Sequence, residues 1–356
     1  MFQSLPPLVK QWLCLSWIIV APVLHPMFIH AAERRAKDYG TFTIYFENDT
    51  FFDSDYLYTN GFKQSWTSED LENYRDRPGA GAWAHSLIAN QPFSVDQEDS
   101  HFVSFSFGQN IYTPEDTGSS EVVEDERPYA GLLYFSLGYS ARSRKRSHTW
   151  EVMLGVVGPS SYAEDTQGAI HDLLDQDKPQ GWDNQLEDEP VLNLFYEHKW
   201  KALRTKQWAG LGFDLNTNFG AALGNLYIGA LGGAQLRLGW RLPNDFGTSV
   251  IRPGSDTNAP VDKEDPRFNK PLNRFGAHVF CGVEGIYMIR DMTLDGNTFA
   301  SSHSVEKEPL VGTLSLGIGF TLHRFKIALA HVYTSKEYKT QSGNSEWGSI
   351  TLSYIY

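Results

Sequence analysis

Cysteine is almost missing from this chain: of 356 residues, only Cys14 and Cys281 carry a thiol. A small domain stapled by several disulfides is excluded. Long apolar runs are missing too. Beyond residue 32, no stretch approaches the ~20 apolar residues that a membrane-crossing helix needs. Positive charge is scarce, with 30 Lys and Arg against 43 Asp and Glu and a net charge of -13. So acidic a chain is a poor partner for nucleic acid. Internal repeats and low-complexity tracts are absent as well.

What is present begins with an export signal. Lys10 precedes an apolar run over residues 12–23, and Ile29, His30, Ala31 and Ala32 lead into Glu33-Arg34-Arg35. This is the layout of a secretory signal peptide, with an apolar core too short to span a bilayer. Residues 1–32 are therefore read as the signal and 33–356 as one mature domain. Removing the signal takes away one lysine and no acid, so -13 becomes -14, and it leaves Cys281 with no partner for an internal disulfide.

The mature chain alternates. In GSITLSYIY, residues 348–356, Ile350, Leu352, Tyr354 and Tyr356 share one face, while Thr351 and Ser353 take the other. In VGTLSLGIGFTLH, Leu314, Leu316, Ile318, Phe320 and Leu322 oppose Thr313, Ser315, Gly317, Gly319 and Thr321. Apolar on one side and small or polar on the other, at a period of two, describes a transmembrane barrel strand. A mean hydropathy of -0.37 fits, because only alternate residues meet lipid.

Similar segments lie near residues 41–47, 59–68, 102–110, 129–140, 149–157, 191–200, 208–218, 226–242, 274–290 and 325–334. The total is about twelve, an even number as bacterial barrels have. A soluble β-sandwich also alternates. The export signal, tyrosines and tryptophans near strand ends, and a final aromatic residue favour an all-β, antiparallel transmembrane barrel.

With a periplasmic N-terminus, the outer connections are residues 49–58, 111–128, 158–190, 219–225, 291–308 and 335–346. The inner connections 69–101 and 243–273 are long for periplasmic turns. The first reads as holding a short helix over residues 80–90.

Two outer segments carry the residues that chemistry needs. The longest loop has a helical period, with Ala169, Ile170, Leu173 and Leu174 as an apolar stripe and Pro179-Gln180-Gly181 as its stop. His171 sits within it, among Asp165, Asp172, Asp175 and Asp177; the plain reading of those acids is a solvated face. Clustered carboxylates on an exported surface also suit calcium, although no EF-hand spacing is present.

The second segment is FENDTFFDSDYLYTNGF, residues 46–62. Parity places Asn48 on the lipid-type face with Phe42, Ile44 and Phe46. A lone amide facing lipid costs free energy unless it is paired or working. Strict alternation turns Thr59 inward, so a bulge near the rim is needed to bring it beside Asn48. Phe51, Phe52, Tyr56 and Tyr58 suit a membrane interface, and Asp53 and Asp55 are read as solvated.

These pieces resemble the outer-membrane lipid A 3′-O-deacylase family of Gram-negative bacteria. The resemblance runs in order through Phe46-Glu47-Asn48-Asp49, Tyr58-Thr59-Asn60-Gly61, Gln109-Asn110-Ile111-Tyr112-Thr113-Pro114 and Asp125-Glu126-Arg127-Pro128-Tyr129-Ala130-Gly131. It continues through Gly155-Val156-Val157-Gly158-Pro159, Gln167-Gly168-Ala169-Ile170-His171 and Gly181-Trp182-Asp183-Asn184-Gln185-Leu186.

It implies a monomeric twelve-stranded barrel with a short helix in a long extracellular loop. Its active site faces the outer leaflet and hydrolyses an ester of lipopolysaccharide. It also implies Asn48, Asp49, Thr59 and His171 as site residues. Calcium would be bound by Asp49 and an acid after the histidine, Asp177 or its rival Asp175. Thr50 stands where some relatives carry a further acid or amide. Histidine would activate water and calcium would polarise the ester carbonyl.

Two alternatives remain: a phospholipase-type barrel using Ser160 or Ser161, and a structural or porin-like barrel without catalysis. Arg127, Lys178, Arg290 and Lys307 on outer loops are candidates to meet lipid A phosphates.

Overall fold

The computed structural model describes residues 39–49, 57–74, 82–83, 86, 100–248, 250–251, 258–261, 265–268 and 275–356. Twelve antiparallel strands close into a barrel. They are β1 (Thr41–Asn48), β2 (Leu57–Thr67), β3 (Ser100–Thr113), β4 (Ala130–Arg142), β5 (Arg146–Val157) and β6 (Glu189–Arg204), then β7 (Leu211–Gly224), β8 (Tyr227–Trp240), β9 (Phe275–Asp291), β10 (Leu310–Leu322), β11 (Phe325–Thr334) and β12 (Ser345–Ile355). Every alternating segment of the sequence falls on one of them, with ends shifted by a few residues. Each strand pairs with its chain neighbours, and β1 pairs with β12 to shut the ring. Closure leaves no unpaired sheet edge for hydrocarbon to meet.

Side-chain alternation sorts the wall into two faces. On β1, Thr41, Thr43, Tyr45 and Glu47 are buried in the lumen, while Phe42, Ile44 and Phe46 turn outward. The outer face exposes Leu137, Leu154, Leu192, Leu238, Val279, Ile318 and Leu352, the apolar band of a membrane barrel. Trp66, Trp200, Trp208 and Trp240 stand exposed around the end that holds Gly40 and Tyr356, called here the terminal end. They make the aromatic girdle of one membrane interface. The opposite rim, the loop end, carries two helices, α1 (Ala163–Leu174) and α2 (Met292–Asp295).

The lumen is not an open channel. The connection from β8 to β9, expected as a periplasmic elaboration, turns into the barrel. Its Asp245 is fully buried and meets Lys326 at 2.8 Å, Arg237 at 2.5 Å and Arg267 at 3.1 Å. Arg237 also pairs with Asp214 at 2.6 Å, and Arg267 with Asp265 at 2.8 Å. Burial alone would raise the Asp245 pKa, but Lys326, Arg237 and Arg267 outweigh it and hold the carboxyl well below the usual range.

Farther along, Gln235 on β8 accepts the Thr248 amide, Asn258 donates to the Tyr45 hydroxyl at 3.1 Å, and the Ile251 amide donates to Glu47 Oε1 at 2.5 Å. This connection thus crosses the lumen from the terminal end as far as the last residues of β1. A cavity of about 240 Å³ lies beside it, lined by Tyr112, Tyr134, Tyr227, Glu284 and Glu337 among others. The helix expected over residues 80–90 lies mostly outside the described residues; Ala82, Trp83 and Ser86 are helical.

Candidate functional site

At the loop end, the outer face of β1 to β4 is covered. One cross-strand row runs Asn48 on β1, Asn60 on β2, Ile111 on β3 and Gly131 on β4. Parity turns this row outward with Phe46, yet Asn48 is 6% exposed, Asn60 5% and Ile111 1%. Helix α1 accounts for the covering of the Ile111 and Gly131 end. Its Ala163 packs in one cluster with Ile111, Tyr129 and Trp182. Gln109 on β3 reaches out to hold the Ser161 carbonyl at 2.7 Å, just ahead of the helix.

Glycine makes that approach possible. A Cβ on Gly131 would lie 2.1 Å from Ser161 Oγ and 2.2 Å from the Ala163 Cβ. Gly158, at φ +106°, turns the chain where a side chain would strike the Glu187–Asp188 backbone at 2.7 Å. Gly131→Val is therefore expected to lift α1 from the wall while the barrel still closes. Limited proteolysis at Lys178 should accelerate, while the heat-dependent gel mobility of a folded barrel persists. Unchanged cleavage would show that α1 does not depend on this contact.

The face that α1 buries is not the one its apolar residues suggest. Ala163, Gln167 and His171, four residues apart, form the buried stripe. Ala169 and Ile170 are half-buried and Leu173 is 64% exposed, while the Leu174 side chain lies outside the described residues. Two causes combine. The indole N–H of Trp182 donates to Gln167 Oε1 at 2.9 Å and draws that polar position inward. At a membrane rim the outward side of a helix need not face water, so an apolar residue there is no fault.

His171 is 3% exposed, and its Nδ1 lies 2.5 Å from the backbone carbonyl of Asp177. Asp175, in the left-handed conformation at φ 58°, ends the helix and turns the chain back so that this carbonyl reaches the ring. A carbonyl only accepts, so Nδ1 carries the proton and, in the neutral ring, Nε2 holds a free lone pair. The predicted Asp177 thus contributes its backbone to the histidine, and its carboxylate is exposed, as are those of Asp165, Asp172 and Asp175.

Asp49 differs: it is fully buried at the end of β1, next to Asn48. The bulge that Thr59 required is present. Register shifts between Tyr58 and Asn60, so Thr59 and Asn60 stand opposite the single Ile111. The Thr59 side chain, Thr50, Asp53 and Asp55 lie outside the described residues.

The donors fit calcium in kind, since the Asp49 carboxylate and the Asn48 amide oxygen are hard oxygen ligands on adjacent residues. Among the described residues, no group of three or more His, Cys, Asp or Glu converges on one point. A complete shell would draw on carbonyls, amides and water as well.

Two residues that sequence reasoning did not single out belong to this corner. Asn60 Nδ2 and Gln167 Nε2 are buried donors without a hydrogen-bond partner among the described residues. Both lie in the quoted motifs, and Gln167 precedes His171 by one helical turn. That spacing was the signal available.

Among the described residues, neither candidate serine nucleophile is hydrogen-bonded to a histidine. Ser160 Oγ donates to Asp188 at 2.7 Å and Ser161 Oγ to the Gly158 carbonyl at 2.6 Å. The four loop cations are engaged too. Arg127 is 1% exposed between Glu337 and Thr293, Lys307 pairs with Asp295, Arg290 holds the Asn225 carbonyl, and Lys178 pairs with Asp172.

A family model described as outer membrane protein LpxR matches residues 13–356. Among solved structures, LpxR from Salmonella typhimurium superposes with a TM-score of 0.65 at 17% identity, covering 89% of this chain and 100% of that one. The beta domain of the Bordetella autotransporter BrkA reaches a TM-score of 0.39 at 8% identity, covering 89% and 98%. No curated protein sequence matches the chain.

Proposed function

The chain belongs to the LpxR family of outer membrane proteins, and on that premise we propose that it is a lipid A 3′-O-deacylase. It hydrolyses the ester that holds the 3′-linked acyloxyacyl group of lipopolysaccharide. The observation that carries this reading is His171. It is buried on the wall-facing stripe of α1, with Nδ1 held by a carbonyl and Nε2 left as a base. A site on the outer wall, rather than in the lumen, is one that a membrane lipid reaches by lateral diffusion. The loop end faces the outer leaflet in this reading, where lipid A resides.

His171 Nε2 takes a proton from water as the water oxygen bonds to the ester carbonyl carbon. The imidazolium then returns that proton to the departing alkoxide, so the ring ends neutral. Asn60 and Gln167 present amide N–H groups able to hold the carbonyl oxygen as it gains charge. Asn48 and Thr59 orient the ester or the water. Calcium bound at Asp49, with Asp177 as the second acid proposed for it, would supply Lewis-acid polarisation of the carbonyl.

Depleting calcium tests this reading. Purified protein mixed with lipid A is expected to release the acyloxyacyl group with calcium and to stop with chelator, and added calcium should restore release. Asp49→Asn should raise the calcium concentration required for half-maximal rate. Full activity in chelator would remove calcium from the account.

A further inference from the structure

The strand end that presents Asn48 and Asp49 is gripped from inside the barrel. β1 is only 8 residues long. Two of its lumen-facing side chains, Tyr45 and Glu47, are held by the β8–β9 connection. Asn258 Nδ2 donates to the Tyr45 hydroxyl at 3.1 Å, and the Ile251 amide donates to Glu47 Oε1 at 2.5 Å. Ser349 on β12 adds its hydroxyl to the same Glu47 oxygen at 3.0 Å. Glu47 is 1% exposed, so its carboxylate is held by protein groups, these two donors among them, rather than by water.

The connection is itself anchored. Asp245 is clamped by Lys326, Arg237 and Arg267, and Asp265 accepts the Asn244 amide at 2.8 Å while pairing with Arg267. A rigid buried charge cluster near the terminal end is thus linked through one length of chain to the residue preceding Asn48.

We propose that the β8–β9 connection is an internal brace and that Glu47 is a positioning residue, fixing from the lumen the strand end that carries Asn48 on the outer face and leads directly into Asp49. The positioning part rests on the deacylase reading; the brace does not. Neighbouring residues on a strand point to opposite faces, so a residue locked in the lumen sets the direction of the next one outside. Reacting groups displaced by about 1 Å lose rate on the order of 100-fold.

The test combines amide hydrogen exchange over residues 41–49 with deacylation kinetics on the intact barrel. Glu47→Ala removes the acceptor, Ile251→Pro removes the donated N–H, and Glu47→Gln keeps an acceptor oxygen. Heat-dependent gel mobility verifies that each variant is folded.

Exchange at residues 47–49 is expected to rise about tenfold or more in Glu47→Ala and Ile251→Pro, corresponding to ~1.4 kcal/mol of lost protection, and to stay near wild type in Glu47→Gln. The same two variants should lose kcat by roughly 10- to 100-fold with little change in KM, and Glu47→Gln should recover most of it. Unchanged exchange in Glu47→Ala and Ile251→Pro overturns the brace. Faster exchange with unchanged kcat overturns the positioning role. A wild-type barrel with protected residues 47–49 that never deacylates lipid A leaves the brace standing and sinks the deacylase reading instead.

Discussion

His171→Ala is expected to lower the deacylation rate by about 10²- to 10⁴-fold, the contribution usual for a general base in the transition state. The loss should fall on kcat, because in the proposed mechanism the imidazole acts on water and its removal leaves the barrel wall in place. His171→Gln should fare no better. A glutamine side chain can satisfy the Asp177 carbonyl through its amide N–H, yet it offers no basic nitrogen to the water. Kinetics on purified protein with defined lipid A decide the matter. A His171→Ala enzyme within about threefold of wild type would assign the base to another residue, since even a weak general base contributes more than that.

The second large effect is on stability. Asp245→Ala leaves Lys326, Arg237 and Arg267 buried without the carboxylate they share, and among the described residues Lys326 then keeps the Gly247 carbonyl at 2.9 Å. Removing one partner of a buried ion network costs about 3–5 kcal/mol, most of it from the charges left behind. Urea unfolding in lipid vesicles should show that loss near neutral pH.

The pH dependence has a definite sign. The Asp245 pKa is depressed on folding, so its contribution is present above the ordinary carboxylate pKa and is lost as pH falls through the depressed value. The gap between wild type and variant should therefore persist at mildly acidic pH and close only in strong acid. A loss under about 1 kcal/mol at neutral pH, the range of a surface ion pair, would show that the network adds little to the fold.

How much of this was legible in the sequence differs between wall and site. The twelve strands were readable because each carries a period of two, imposed by lipid on one side and a polar lumen on the other. The connection inside the barrel was not readable. Asp245, Asp265 and Arg267 look like ordinary loop charges until Lys326 and Arg237 meet them across the lumen.

At the site, parity placed Asn48 on the outer face and demanded a bulge at Thr59, and both hold. Which side of α1 meets the wall was not legible, because the apolar stripe of residues 169, 170, 173 and 174 suits lipid as well as the barrel rim. Here the polar stripe of Gln167 and His171 is buried and Leu173 is exposed. The Asp177 carbonyl on His171 was also out of reach, since a backbone group leaves no mark in residue type.

The most direct test of the account is the mass of lipid A taken from Gram-negative cells expressing the wild-type chain, read beside their phospholipids. The account predicts one discrete loss equal to the 3′-linked acyloxyacyl group, absent in cells expressing His171→Ala, with phospholipids unchanged. Lipid A of unaltered mass, or release of fatty acid from phospholipids in its place, would contradict it.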